Sequence, residues 1–157
     1  MTFLSSDGHH TQLEKMFRSF GATPRHEDDF GDAEPLARQL DPETAKFVRL
    51  ADKIYRESTG AWCIAEVLSD DWLSALAHSL EVHFPGAKQQ QYFDEIFTGH
   101  VEVVHMLETV SLTEDILARY PQMLQPTIEH SRIMAQALTD LWSNLENLLK
   151  NPQKYLK

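Results

Sequence analysis

Chemistry in this chain would fall to a few acids and imidazoles set among apolar neighbours. In the run from Gly60 to Leu80, a helical advance of about 100° per residue puts Trp62, Glu66, Ser69, Leu73, Leu76 and Leu80 on one face. A carboxylate on that face costs free energy unless a metal ion, an arginine or a hydrogen-bond network compensates it. His100 has the same property, lying at helical spacing among Phe93, Phe97, Val104 and Leu107. His10 shares a side with Leu13, Phe17 and Phe20, and Asp7 stands one turn earlier, at the i, i+3 spacing that lets two ligands meet one ion. Two histidines with one or two carboxylates, and no cysteine, form an iron-type or manganese-type ligand set. His9 could replace His10, since position does not separate them.

Glu102-Val103-Val104-His105 has the Glu-x-x-His spacing that carboxylate di-iron bundles use. Carried along one continuous helix, periodicity sends this pair the other way. Glu102 lies about 200° from His100, and with His105, Glu95 and Thr98 it is expected to face water or a rim. Glu102 and His105 are therefore a second-rank metal pair. His78, His83 and His130 have no inward partner visible in the sequence, and His83 suits a helix C-terminus. Asp70, Asp71 and Glu27-Asp28-Asp29 read as solvated charge. Cys63, the single cysteine, reads as a small buried hydrophobe. No phosphate loop or nucleophile elbow is present.

The elements that must position these groups are helices. Ser6 or Asp7 caps a first helix running to about Phe20, with Gly21 as its stop. Residues 22–40, with Pro24, Gly31 and Pro35, read as a long connection. Asp41-Pro42 is a helix start that leads through Phe47, Leu50, Ala51 and Ile54. The Glu66 helix is expected to run to Phe84-Pro85-Gly86, and a further helix from about Lys88 to Val110. Thr113 caps a short helix before Pro121 and Pro126, and a last one spans Thr127 to Leu149, leaving a polar tail over 150–157. The expectation is one all-α domain over 1–157, a bundle of five to six helices. At 157 residues it is long enough for a true core. Fourteen basic against 24 acidic residues give a net charge of −10, which argues against nucleic acid and anionic membrane as partners. No apolar run approaches the ~18 residues of a membrane span and no signal peptide is recognisable, so a cytoplasmic protein is expected.

The order His10-x-x-Leu13, then Gly60-Ala61-Trp62-Cys63-Ile64-Ala65-Glu66, then Tyr92-Phe93 leading to Phe97-Thr98-Gly99-His100-Val101-Glu102-Val103, resembles the heme-oxygenase-like fold. More narrowly it is similar to that fold's non-heme iron oxidase and oxygenase branch, related to thiaminase II and pyrroloquinoline quinone synthase. The resemblance implies an iron cofactor (manganese or none being the alternatives) held by His10, Glu66, His100 and Asp7, with Trp62 and Phe97 on the pocket wall. It implies a protein that activates dioxygen on a small organic acid or amine at a reduced or single-metal site. The family's His-x-x-x-Asp-x-x-His run, started at His100, meets Val104 and Leu107, which bind no metal. A second register uses Glu102 and His105, with Thr98 in first place, and turns the apolar face outward. The fold also looks shortened at its N-terminus, which implies a homodimer or a heteromer covering apolar surface. Two alternatives follow: a non-catalytic accessory or partner-binding domain of the same fold, and a metal-free hydrolase of the thiaminase II kind using Cys63.

Overall fold

Asp41 shows how locally some of this chain is decided. It caps the helix Pro42–Tyr55 by accepting hydrogen bonds from the backbone N–H groups of Glu43 and Thr44, both at 3.2 Å. Asn144 Nδ2 donates to the same carboxylate oxygen at 3.0 Å, so the cap also ties the start of this helix to the last one. Burial pushes the Asp41 carboxyl up, but the hydrogen bonds from Thr44, Asn144 and Glu43 outweigh it and hold the group below its usual 3.8. A depressed carboxyl stabilises the fold above its unfolded value, and that contribution is lost as pH falls through the folded one. Asp41→Ala is expected to lower stability by about 1–2 kcal/mol and Asp41→Asn by much less. In chemical denaturation, the gap between wild type and Asp41→Ala should narrow as pH drops below about 4.

The computed structural model describes residues 9–21, 34 and 37–151, with the side chains of residues 9, 10, 98, 99, 148 and 149 outside that description. Among the described residues there are seven α-helices and no strand: α1 His9–Ser19, α2 Pro42–Tyr55, α3 Gly60–Val67, α4 Ser69–His83, α5 Gln91–Gly99, α6 Val101–Arg119 and α7 Leu124–Lys150. Short 3₁₀ turns at Ala87–Gln89 and Pro121–Met123 lead into α5 and α7. The all-α expectation holds. None of the helices is long and apolar enough to cross a membrane.

The chain divides into two compact units. The first comprises Met1–His26 with Glu66–Glu108, the second Glu27–Ala65 with Thr109–Lys157. In the first, α1 packs on α5, and Phe93, Met16 and Ile96 are almost wholly buried beside Leu73 and Ala77. Phe93 stacks on Phe97 at 5.9 Å, and Phe20 on Phe84 at 4.6 Å. In the second, α2 packs along α7 around Met134, Ile54, Ala51 and Ala61. Burying each large side chain contributes about 1.5–3 kcal/mol, so each unit has its own hydrophobic core.

Three element boundaries differ from the sequence expectation. The Glu66 helix, expected to run unbroken to Phe84-Pro85-Gly86, breaks at Leu68, and α4 starts afresh at Ser69. The helix expected from Lys88 to Val110 breaks at His100, which takes the left-handed conformation with φ +51°. Histidine is among the few non-glycine types that tolerate it. Thr113 starts no helix; it lies inside α6 and is buried. Of the connection at 22–40, Ala37 is buried and Glu34 pairs with Arg49 at 2.6 Å, while residues 22–33, 35 and 36 lie outside the description.

Candidate metal centre

The break at His100 decides what the first unit can bind. Phase runs evenly only within one helix, so the left-handed residue between α5 and α6 resets which side of α6 faces inward. After it, Val101 and Glu102 are buried, Glu102 being 6% exposed. Val104 and Leu107, expected inside, are 48% and 59% exposed. The inward stripe of α6 begins Glu102, then His105 three residues on, the two positions expected at the rim. This is a correction to the continuous-helix reading, and its cause is the φ of one residue.

Glu66, from the last turn of α3, meets that stripe. A carboxylate oxygen of Glu66 and one of Glu102 each lie 4.0 Å from His105 Nδ1, and one ligand atom from each of the three residues lies within 4.8 Å of the others. Glu66 and His105 are half-buried and Glu102 is buried. Two anionic oxygens and an imidazole nitrogen at this spacing form a donor set for one divalent ion. An ion bonded at about 2.1 Å holds neighbouring ligands roughly 3 Å apart, so a convergence of about 1–2 Å would close the set. Carboxylate and imidazole together suit manganese, iron or zinc better than soft metals. The arrangement is also half of a di-iron bundle's set, in which single glutamates on two helices accompany a Glu-x-x-His motif on each of two others.

Tyr92 belongs to the same surroundings. Burial, and then the negative charge of Glu102, push its phenol up to about 12, so it carries its proton at neutral pH. Glu95, expected at the rim with Glu102, is half-buried instead and accepts hydrogen bonds from Gln12 at 2.8 Å and Gln91 at 3.0 Å.

The other sequence candidates are placed differently. His100 is exposed at the junction of α5 and α6 and does not join the Glu66 group. The expectation that it points inward among Phe93, Phe97, Val104 and Leu107 is thereby corrected. Asp7 and the side chain of His10, like that of His9, lie outside the described residues. Trp62 is 53% exposed, edge-on to Tyr55 at 6.4 Å, and is not on an inward face. Phe97 is half-buried against the first core. Cys63 is half-buried and free. His130, for which the sequence offered no partner, lies between Ser58 and Glu57. The signal that would have found the Glu102 face is the Thr98-Gly99 pair, two weak helix formers directly before His100. No family model matches the chain, and neither the curated proteins nor the solved structures contain a match to it.

Proposed function

We propose that the first unit holds a single divalent metal, iron or manganese, through Glu66, Glu102 and His105. On this reading the chain is a heme-oxygenase-like protein of the non-heme iron oxidase and oxygenase kind, with one metal in place of two. One observation carries it: a buried glutamate, a half-buried glutamate and a half-buried histidine, on two helices and all in the first unit, have ligand atoms within 4.8 Å of one another. The second register of the resemblance, with Glu102 and His105 as ligands, is the one consistent with an outward Val104 and Leu107.

Iron held there supplies one-electron chemistry toward dioxygen, and the expected substrate is a small organic acid or amine. The chain's own residues do the rest. Glu66 and Glu102 would offer carboxylate oxygens to a divalent ion, and His105 an imidazole nitrogen. Three protein ligands leave coordination positions open for exogenous molecules. Tyr92 keeps a protonated phenol in the electrostatic reach of Glu102.

Anaerobic titration with ferrous iron, followed by equilibrium dialysis and elemental analysis, tests the proposal. Wild type is expected to bind close to one equivalent and Glu66→Ala to bind none above background. Equal binding by the two proteins contradicts it. Absence of metal from both would favour the alternative of a non-catalytic partner-binding domain, for which the exposed Val103, Val104 and Leu107 on α6 are the supporting feature.

A further inference from the structure

The second unit contains a set of side chains that the metal reading does not use. Ser58 Oγ lies 2.8 Å from His130 Nδ1, and His130 Nε2 lies 3.3 Å from a carboxylate oxygen of Glu57. A carboxylate only accepts, so the Glu57 oxygen at 3.3 Å favours the imidazole tautomer with its proton on Nε2. That leaves Nδ1 as an acceptor for the Ser58 hydroxyl proton. The Gly60 backbone N–H donates to Ser58 Oγ at 3.3 Å. A hydroxyl hydrogen-bonded to an imidazole that a carboxylate orients is the arrangement that activates serine as a nucleophile. Here both imidazole nitrogens are used in the opposite sense to the best-known triad, which the chemistry allows because either ring nitrogen can accept a proton when the other carries one.

The fold makes the set by bringing the turn after α2 against the first half of α7. Gly60 is where the approach is closest, since a Cβ there would lie 2.0 Å from the Thr127 carbonyl oxygen. The His130 side chain is 13% exposed and that of Glu57 46%, so one end of the set opens to solvent. Two hydroxyls at the same junction, Thr59 Oγ1 and Thr127 Oγ1, are buried without a hydrogen-bond partner among the described residues. Thr59 directly precedes Gly60, and Thr127 is the residue Gly60 lies against. Buried hydroxyls left without a partner are what a small polar molecule entering this junction would satisfy.

We propose that Ser58 is an activated nucleophile toward small, activated acyl esters, with His130 as its base and Glu57 as the residue that positions the imidazole. Ser58 Oγ bonds to the ester carbonyl carbon while its proton passes to His130 Nδ1. The bond from that carbon to the alcohol oxygen breaks, and the departing alkoxide takes the proton back from His130. Water then adds by the same route, releasing the acid and restoring the serine.

The test uses the whole chain with a fluorophosphonate, which bonds to an activated serine oxygen and releases fluoride. The expected result is one adduct per chain, mapped to Ser58 by peptide mass spectrometry. His130→Asn, which keeps the size of the side chain, is expected to slow labelling by about 100-fold or more, and Glu57→Gln by about 10-fold or more. Ser58→Ala should abolish the adduct. Should that variant fail to fold, the site of the wild-type adduct and the His130→Asn rate still decide. No adduct at Ser58 in folded wild type, or wild-type labelling in folded His130→Asn, overturns the proposal. Metal binding by the first unit is measured separately and does not bear on either outcome.

Discussion

Gly60→Ala is expected to destabilise the protein by about 3 kcal/mol or more, lowering the melting temperature by roughly 6–12 °C. The added methyl would sit 2.0 Å from the Thr127 carbonyl oxygen, 2.7 Å from its carbon and 2.9 Å from Ser131 Oγ. Two of these are backbone atoms of α7, so no rotamer change relieves the contact. The start of α3 would have to retreat from α7, and the junction holds more than that contact. Ser131 Oγ lies 2.9 Å from both the Gly60 and the Thr127 carbonyl oxygens, and Ala61 packs with Met134 in the core of the second unit. Gly86→Ala is the control. Gly86 has φ +92°, and a Cβ there would make only an ordinary contact, 3.8 Å from Gln89 Oε1, so only backbone strain of about 1 kcal/mol is expected. A Gly60→Ala melting temperature within about 2 °C of wild type would contradict the close approach.

Glu102→Gln is expected to separate binding from stability. The glutamine keeps the shape of the side chain but removes one of two negative charges held close to each other. Affinity for ferrous iron or manganese should fall by about 100-fold or more, which is about 2.7 kcal/mol. Without metal, the same change should leave stability unchanged or raise it by up to about 1 kcal/mol, because two facing carboxylates repel and burial of a charge is costly. An ordinary structural ion pair between Glu102 and a protonated His105 predicts the opposite: Glu102→Gln would destabilise the metal-free protein. Thermal unfolding with and without metal, on wild type and variant in parallel, distinguishes the two.

What the sequence made legible depended on how far the deciding interaction lay along the chain. Asp41-Pro42 was readable because cap and proline act within four residues. The inward bias of Glu66 was readable for a similar reason, its neighbours at helical spacing being apolar. The Glu102 side of α6 was not readable in the same way. Once the helix was taken as continuous through Gly99 and His100, every later residue was assigned to the wrong side, and Val104 displaced Glu102 as the inward one. A single left-handed residue separates those two outcomes, and its only local sign is the pair of weak helix formers, Thr98 and Gly99, just before it. The break at Leu68 belongs to the same class: it leaves Leu73 buried but Trp62 exposed, although a continuous helix puts them on one face. Ser58 and His130 lie 72 residues apart, and nothing in the periodicity of either segment points to the other.

Whether Glu66, Glu102 and His105 share one cation is decided by an anomalous-scattering map of manganese-soaked crystals measured at the manganese edge. One peak about 2.1 Å from a carboxylate oxygen of each glutamate and from a His105 nitrogen is the result this account requires. A map with no peak between these three side chains, or with the ion held by other residues, would contradict it.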